Sequence, residues 1–388
     1  MKKRIPYIIL IWIGADLYFF QAVETLTNVN FILCGYWIID LLVGFGVLYF
    51  ALTNKARKSP KLTGLLMGLL LLSLVPKIAA LPVLLFEDIS RIFTHFQHRH
   101  IWVSELALGV AAFPFLALLY GMTGGGHKYK VHRLTLKFKD LPDAFDGFTV
   151  TQLSDIHAGS FTSKKGVEKG IDLVNKQKSD LLLFTGDLIN NYASEMNPWI
   201  SSFKKLEAPF GKFSVFGNHD YGDYTKWKST ADKVANMVRL KEIQKEIGFK
   251  LLLNQSVEIK KDGQSIALIG VENWGKGRFH KYGSLVKATV KIPDKEFKIL
   301  MSHDPSHWEA KTLIHSKHIH LTLAGHTHGM QFGIELFGWQ WSPAKYIYPQ
   351  WAGLYEKNGK YLYVNRGFGF LGFKGRIGIW PEITVITL

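Results

Sequence analysis

The chain has 388 residues, room for two or three domains, and 47% of it is hydrophobic, with residues 1–123 mostly apolar and the rest of ordinary globular composition. Lys and Arg number 47 against 31 Asp and Glu, a net charge of +16 that suits anionic lipid headgroups or phosphorylated partners. No dense basic stripe interleaved with aromatics is present, so nucleic acid is not an expected partner, and the single cysteine, Cys34, excludes a disulfide within the chain.

Four apolar stretches come first: Ile5–Val23, Phe31–Leu52, Leu62–Phe86 and Ile101–Met122. Each is close to the roughly 20 residues that carry a helix across a bilayer. Taken alone, the first could be a signal peptide, but no small-residue cleavage site follows its apolar core. Four in series with short loops predict a four-helix transmembrane region over residues 1–123, and hence a multi-pass protein of the cell membrane. Basic residues cluster before the first span (Lys2, Lys3, Arg4), between the second and third (Lys55, Arg57, Lys58, Lys61) and after the fourth (Lys128, Lys130, Arg133). The positive-inside rule then places everything after the fourth span in the cytoplasm. Asp16, Asp40 and Lys77 fall inside spans, where charge is costly, and read as helix-pairing contacts or functional groups.

Gly124-Gly125-Gly126 reads as a hinge, and residues 124–147 as a linker with an edge strand in which Tyr129, Val131, Leu134, Leu136 and Phe138 alternate with polar residues. From residue 148 to 388, short apolar runs end in polar clusters: 149–154, 181–185, 213–216, 266–271, 298–302 and 320–324. Helical stretches near 164–176, 199–206 and 230–247 separate them, and 361–365 and 382–388 return to strand. Alternating strand and helix predicts an α/β domain with its functional groups at strand ends.

Those ends carry the chemistry. Asp155-x-His157 follows the first run, and a spacing of two puts both side chains on one face of a strand. Gly186-Asp187, Gly217-Asn218-His219-Asp220, Ser302-His303-Asp304 and Gly325-His326-Thr327-His328 close later ones. Any one of these is ordinary as a turn or cap. Together they offer carboxylate, amide and imidazole, a donor set for Mn²⁺, Fe or Zn²⁺, and the absence of nearby cysteine argues against a structural zinc. Asp155, His157, Asp187, Asn218, His303, His326 and His328 are too many for one ion and enough for two that share a carboxylate. Two ions a few ångströms apart are a known device for phosphate-ester hydrolysis, and His219, with Asp220 beside it to orient or charge the ring, suits the proton donor.

These blocks, in this order, resemble the signature of the calcineurin-like metallophosphoesterases. The runs Gly325–Gln331, Trp351–Tyr355 and Tyr363–Gly369 are similar to the membrane-associated bacterial branch of YkuE/YaeI-type phosphodiesterases. The resemblance covers residue 149 to the C-terminus. It implies a four-layer α/β/β/α sandwich and a hydrolase with two divalent ions. It also implies that Asp155, His157 and His328 hold the first ion and Asn218, His303 and His326 the second, with Asp187 bridging and His219 as catalytic acid. Phe216 stands where the family often has proline, and Met330 where glycine is common.

The expected reaction is hydrolysis of a phosphodiester or pyrophosphate. A phosphomonoesterase, including a phosphoprotein phosphatase, shares the same metal residues, and an inactive membrane-anchored binding protein would be expected to lack one. Phe337-Gly-Trp-Gln-Trp341 and Phe368–Phe373 read either as internal packing or as an aromatic rim entering the membrane interface. A lipid-linked substrate fits the anchor, the charge and such a rim, and Arg366 and Arg376 read as phosphate-binding or surface charges.

Overall fold

A computed structural model describes residues 5–53, 59–277 and 280–388. The chain divides into two compact units, Met1–Gly124 with Gly372–Gly375, and Gly125–Leu371 with Arg376–Leu388.

The first unit holds helices α1 (Ile5–Leu26), α2 (Asn30–Thr53), α3 (Pro60–Arg91) and α4 (Ile101–Thr123). All four are long and apolar enough to cross a membrane. Their outer faces expose Leu10, Phe31, Leu42, Phe86 and Phe113, as lipid contact requires. Their inner faces meet at Ala22, Ala80, Ala107 and Ala111, small side chains that let helix backbones approach closely. Helix α3 runs further than its apolar stretch, to Arg91, and includes Pro76 and Pro82. Proline is tolerated in a membrane helix because neighbouring groups satisfy the freed carbonyls.

The three ionisable residues predicted inside the spans come together. Lys77 on α3 is bonded to Asp16 on α1 and Asp40 on α2. Ser73 accepts from Lys77 at 3.1 Å and from Trp12 Nε1 at 3.0 Å, and donates to Asp40. One buried cation thus ties three helices together, a pairing contact as the sequence allowed. Near the end of α3, Arg99 forms ion pairs with Glu87 at 2.7 Å and Asp88 at 2.8 Å. Of the residues behind the orientation argument, Lys2, Lys3, Arg4, Lys55, Arg57 and Lys58 lie outside the described residues.

The second unit contains β1 (Lys130–Thr135), β2 (Thr149–Leu153), β3 (Leu181–Phe184), β4 (Lys212–Ser214), β5 (Lys250–Leu251), β6 (Gln255–Lys261) and β7 (Gln264–Gly270). It continues with β8 (Lys298–Met301), β9 (Leu321–Ala324), β10 (Ile334–Leu336), β11 (Trp339–Trp341), β12 (Gly353–Lys357), β13 (Lys360–Val364) and β14 (Glu382–Thr387). Between them lie α5 (Lys164–Asn175), α6 (Ile200–Phe203), α7 (Thr230–Glu246) and α8 (Leu285–Thr289). Ser163 caps α5 by accepting from the Gly166 N–H, and Ser229 caps α7 by accepting from the Asp232 N–H. Helix α6 is shorter than its predicted stretch, 199–206, and gives way to a turn after Phe203.

Two six-stranded sheets form, in the orders β1-β14-β2-β3-β4-β5 and β12-β13-β9-β8-β7-β6. Strand alternation explains how they stack. Leu181 and Leu183 face the second sheet and share a core with Leu268, Ile299, Met301, Leu321 and Leu323. Leu182 and Phe184 face the other way, onto Val167 and Ile171 of α5 and Leu240 and Ile243 of α7. Ala267, Ile269 and Leu300 pack outward on Leu285 and Ala288 of α8. The result is a four-layer α/β/β/α sandwich. The predicted edge strand is β1, which pairs in parallel with β14.

Glu382, at the start of β14, is fully buried. Its carboxylate accepts from Arg366 Nη1 at 2.7 Å and from the Tyr363 hydroxyl at 2.7 Å. Burial alone would raise this carboxyl, but the Arg366 and His132 charges together with the hydrogen bonds from Thr384 and Tyr363 outweigh it and hold the group at about 2, below its ordinary 4.5. A carboxylate depressed on folding stabilises the folded state at every pH above its unfolded value, and that contribution is lost as pH falls toward the folded one.

Two outcomes follow. In detergent-solubilised full-length protein, Glu382→Gln lowers stability by about 3 kcal/mol at neutral pH, and the gap from the parent closes between pH 4.5 and 2; thermal melts across pH check this, and a gap independent of pH contradicts it. Lys77→Met strands two buried acids and costs about 3–5 kcal/mol. Adding Asp16→Asn and Asp40→Asn recovers part of that melting temperature, whereas a single variant that melts like the parent would contradict the pairing role.

Candidate metal centre

The predicted site residues lie in the loops that follow the C-terminal ends of β2, β3, β4, β8 and β9. The expectation that Asp155 and His157 share a strand face does not hold, because both lie beyond β2. They adopt left-handed backbone conformations, with φ of 51° and 48°. Asp187, His326 and His328 do the same, at 62°, 71° and 50°. Such conformations cost about 1–3 kcal/mol each and gather where surrounding structure holds a functional arrangement. Cross-loop hydrogen bonds supply the hold: Asp155 N–H donates to Gly186 O at 2.9 Å, His157 N–H to Asp187 O at 3.1 Å, and Gly325 N–H to His303 O at 2.9 Å.

Glycine is needed at two of these bends for closeness. A Cβ on Gly217 would lie 2.2 Å from Asp187 Oδ1 and 2.7 Å from His303 Cε1. One on Gly325 would lie 2.3 Å from Asp155 Oδ2. Met330 takes φ 48°, which explains why glycine suits that position, and Phe216 is buried edge-on against Tyr221.

Two groups of side chains converge, Asp155 with His157 and His328, and Asp187 with His303 and His326; within each group the potential ligand atoms lie within 4.8 Å of one another. Asp187 stands between the groups, its Oδ2 being 3.5 Å from His157 Nε2 and 3.2 Å from His303 Nε2. His303 Nδ1 lies 2.8 Å from the Thr185 carbonyl, which can only accept, so Nδ1 carries the hydrogen. In a neutral ring, Nε2 then presents a lone pair to Asn218 Oδ1 at 3.0 Å and Asp187 Oδ2 at 3.2 Å. Asn218 is held in that sense because its Nδ2 donates to the Tyr224 hydroxyl at 2.9 Å. His157 Nε2 and His328 Nε2 are buried with no hydrogen-bond partner. Acceptors that face one another without a donor fit a cation between them.

Three of the four histidines are held neutral, and the fourth is held by the Asp187 charge. Burial pushes His157 down to about 3 and, with the His157 and Arg376 charges, holds His328 well below its ordinary value. Burial also lowers His326. Neutral imidazole is the form that binds a metal. Burial raises Asp155 to about 6. Burial opposes ionisation of Asp187 as well, but His303 and His219 prevail and keep it ionised. Against its own burial, His303 is pushed up to about 10 by that same carboxylate.

Asp220 does not serve His219 as expected. Its buried carboxylate accepts from the N–H groups of Asp187 at 2.8 Å, Gly217 at 2.9 Å and Leu188 at 2.9 Å, tying two metal-centre loops together. The His219 ring is oriented instead by Asn190, whose carbonyl lies 2.8 Å from Nδ1. Arg366 and Arg376 are buried and bind other protein groups. Arg366 reaches Glu335 at 2.6 Å and Glu382 at 2.7 Å. Arg376 donates to the carbonyls of Arg366 at 2.7 Å and Gly369 at 2.6 Å, and lies 3.2 Å from His328 Nδ1. Phe368 and Phe370 belong to the core, whereas Phe337 and Trp339 are exposed. Sequence reasoning missed Tyr348, whose hydroxyl lies 2.8 Å from His326 Nε2, and Tyr224, whose ring lies 4.6 Å from that of His219. Neither sits in a metal-binding motif; each arrives through a loop.

Both parts of the chain resemble known proteins. Residues 148–330 match the family described as calcineurin-like phosphoesterase, and residues 3–126 match one described as a probable calcineurin-like phosphoesterase transmembrane domain. The chain is 31% identical over 278 residues to the uncharacterized metallophosphoesterase YkuE of Bacillus subtilis (strain 168), covering 68% of this chain and 90% of that one. It is 26% identical over 264 residues to phosphodiesterase YaeI of Escherichia coli (strain K12), covering 66% and 86%. A transmembrane protein with metallophosphoesterase domain from Danio rerio is 26% identical over 278 residues, covering 70% and 60%. The chain belongs to the calcineurin-like metallophosphoesterases, hydrolases acting on phosphoric esters, and is a membrane protein of that family.

Proposed function

We propose that this protein hydrolyses a phosphodiester or pyrophosphate bond of a lipid-linked substrate, with two divalent ions drawn from Mn, Fe and Zn. The observation that carries this reading is the convergence of His303 Nε2, Asn218 Oδ1 and Asp187 Oδ2 at 3.0–3.2 Å, beside the His157 and His328 Nε2 atoms that are buried without a hydrogen-bond partner. Asp155, His157 and His328 would hold one ion, Asn218, His303 and His326 the other, and Asp187 would serve both. When bound, such a pair neutralises phosphoryl oxygens and supplies hydroxide at neutral pH.

The remaining task belongs to His219. Its backbone N–H donates to Asp187 Oδ1 at 2.8 Å, and its Nδ1 is engaged by the Asn190 carbonyl at 2.8 Å. Nε2 is therefore the nitrogen left to carry a proton to the departing oxygen. Tyr224 and His157 flank the ring at 4.6 and 4.9 Å and restrict its rotation. In this reading residues 1–123 anchor the chain, 124–147 connect it and add the edge strand, and 148–388 carry the chemistry. The membrane spans and the +16 charge support a membrane-borne, anionic substrate. Lys61, Lys128, Lys130 and Arg133 support a cytoplasmic catalytic unit.

With Mn²⁺ supplied, purified protein is expected to turn over a chromogenic phosphodiester. His219→Ala lowers turnover about 10²–10⁴-fold with metal content retained, while Asp187→Asn loses both metal and turnover. Variants as active as the parent would contradict the assignment, and turnover of monoesters alone would favour a phosphomonoesterase. A topology reporter fused after Leu388 reports the cytoplasm; an extracytoplasmic signal would overturn the orientation.

A further inference from the structure

Between His328 and Tyr348, both in the metal centre's surroundings, the chain makes an excursion that the chemistry above does not use. Strands β10 and β11 form an antiparallel ribbon with Ile334 opposite Trp341, Glu335 opposite Gln340 and Leu336 opposite Trp339. It closes through Phe337 and Gly338, both left-handed at φ 49° and 81°, as a tight hairpin turn demands. Period-two alternation gives the ribbon two faces. Glu335 and Gln340 share one face and accept from Arg366 at 2.6 and 3.2 Å. That buried arginine fixes the register, so the other face is committed to Ile334, Leu336, Trp339 and Trp341. Phe337 at the tip is 99% exposed, and Leu336 and Trp339 are each 58% exposed. A few residues further along the chain, Tyr346 is 73% and Ile347 62% exposed. Single exposed apolar residues need no explanation, but a contiguous patch with tryptophan at its centre marks an interaction surface.

We propose that the tip and apolar face of this ribbon insert into the interfacial layer of the bilayer that the same chain spans. Three observations select the bilayer. Trp and Tyr are the side chains favoured at the headgroup boundary, where an apolar body and a polar edge are both accommodated, and Phe337 adds a wholly apolar tip. Lysines accompany them: Lys345 lies over the Tyr346 ring at 5.2 Å, and Lys130 lines the cleft that Phe337 and Trp339 share with β1. These are placed for anionic headgroups. The third is connectivity. Helix α4 ends at Thr123 and β1 starts at Lys130, so the chain between them can span at most about 25 Å. The strand that flanks the ribbon is thus tethered close to the membrane.

That the ribbon brings the metal centre to a lipid-linked phosphoryl group rests on the function proposed above; that it enters the bilayer does not. The test separates the two. In full-length protein carrying Cys34→Ser, Phe337→Cys is labelled with an environment-sensitive fluorophore and reconstituted into vesicles of zwitterionic and anionic phospholipid. A second preparation carries the label at Glu258→Cys on β6. Insertion predicts blue-shifted emission at 337 and severalfold stronger quenching by nitroxide-labelled phospholipid than at 258. Equal behaviour at the two positions overturns the proposal. A blue shift at 337 without lipid quenching also overturns it, by showing that protein, a second copy or another partner, covers the ribbon. Because the readout needs no turnover, a chain that hydrolyses nothing yet is quenched at 337 contradicts only the proposed function.

Discussion

The second unit is organised around an electrostatic conflict. Lone pairs of His303, Asn218 and Asp187 are held about a hydrogen bond's length apart among buried side chains. Unless His303 takes up a second proton, as Asp187 favours, nothing in the site donates between them. A chain left to relax would turn these groups outward, since a buried acceptor without a donor costs roughly 1–3 kcal/mol. What prevents this is the sandwich beneath. Parallel strands end together at one edge, and each loop is bonded to its neighbour through backbone amides. Asp220 reinforces that edge by accepting from three N–H groups of two loops. Arg376 does the same from the far side, donating to carbonyls of the C-terminal loop while approaching His328.

Much of this was legible in the sequence because it follows from local chemistry. The four spans were plain from apolar length, and the strands β2, β3, β8 and β9 from short apolar runs ending in polar clusters. The ligand candidates were legible because Asp, Asn and His at successive strand ends have few alternative uses when they recur. Sequence pattern is a poor guide where loops decide geometry. Asp155 and His157 converge through left-handed backbone rather than strand alternation, and nothing in Asp-x-His states that. Asp220 follows His219 in sequence, yet its side chain turns away to bind amides, because three buried N–H groups outweigh one neighbouring ring. The roles of Arg366 and Arg376 were out of reach for the same reason: their partners lie up to 48 residues away in the chain.

The same logic separates the two aromatic segments. Phe368 and Phe370 look like rim residues by composition, but the loop Arg376 holds together places them in the core. Phe337 and Trp339 look no different in sequence and are exposed, because Arg366 takes the polar face of their ribbon. In the membrane unit an equivalent compensation operates. Lys77 is affordable inside the spans only because Asp16 and Asp40 meet it there. In each case a buried charge is kept by a partner from a distant segment, and that partner determines which surfaces remain free.

A site shaped for a pair of ions should hold both at once, and the positions of the ions decide whether it does. Anomalous scattering from crystals of full-length protein loaded with Mn²⁺ would do so. The account predicts two peaks about 3.5–4 Å apart, one among Asp155, His157 and His328, the other among Asn218, His303 and His326, with Asp187 reaching both. A single peak at saturating Mn²⁺, or two peaks that leave Asp187 uncoordinated, would contradict it.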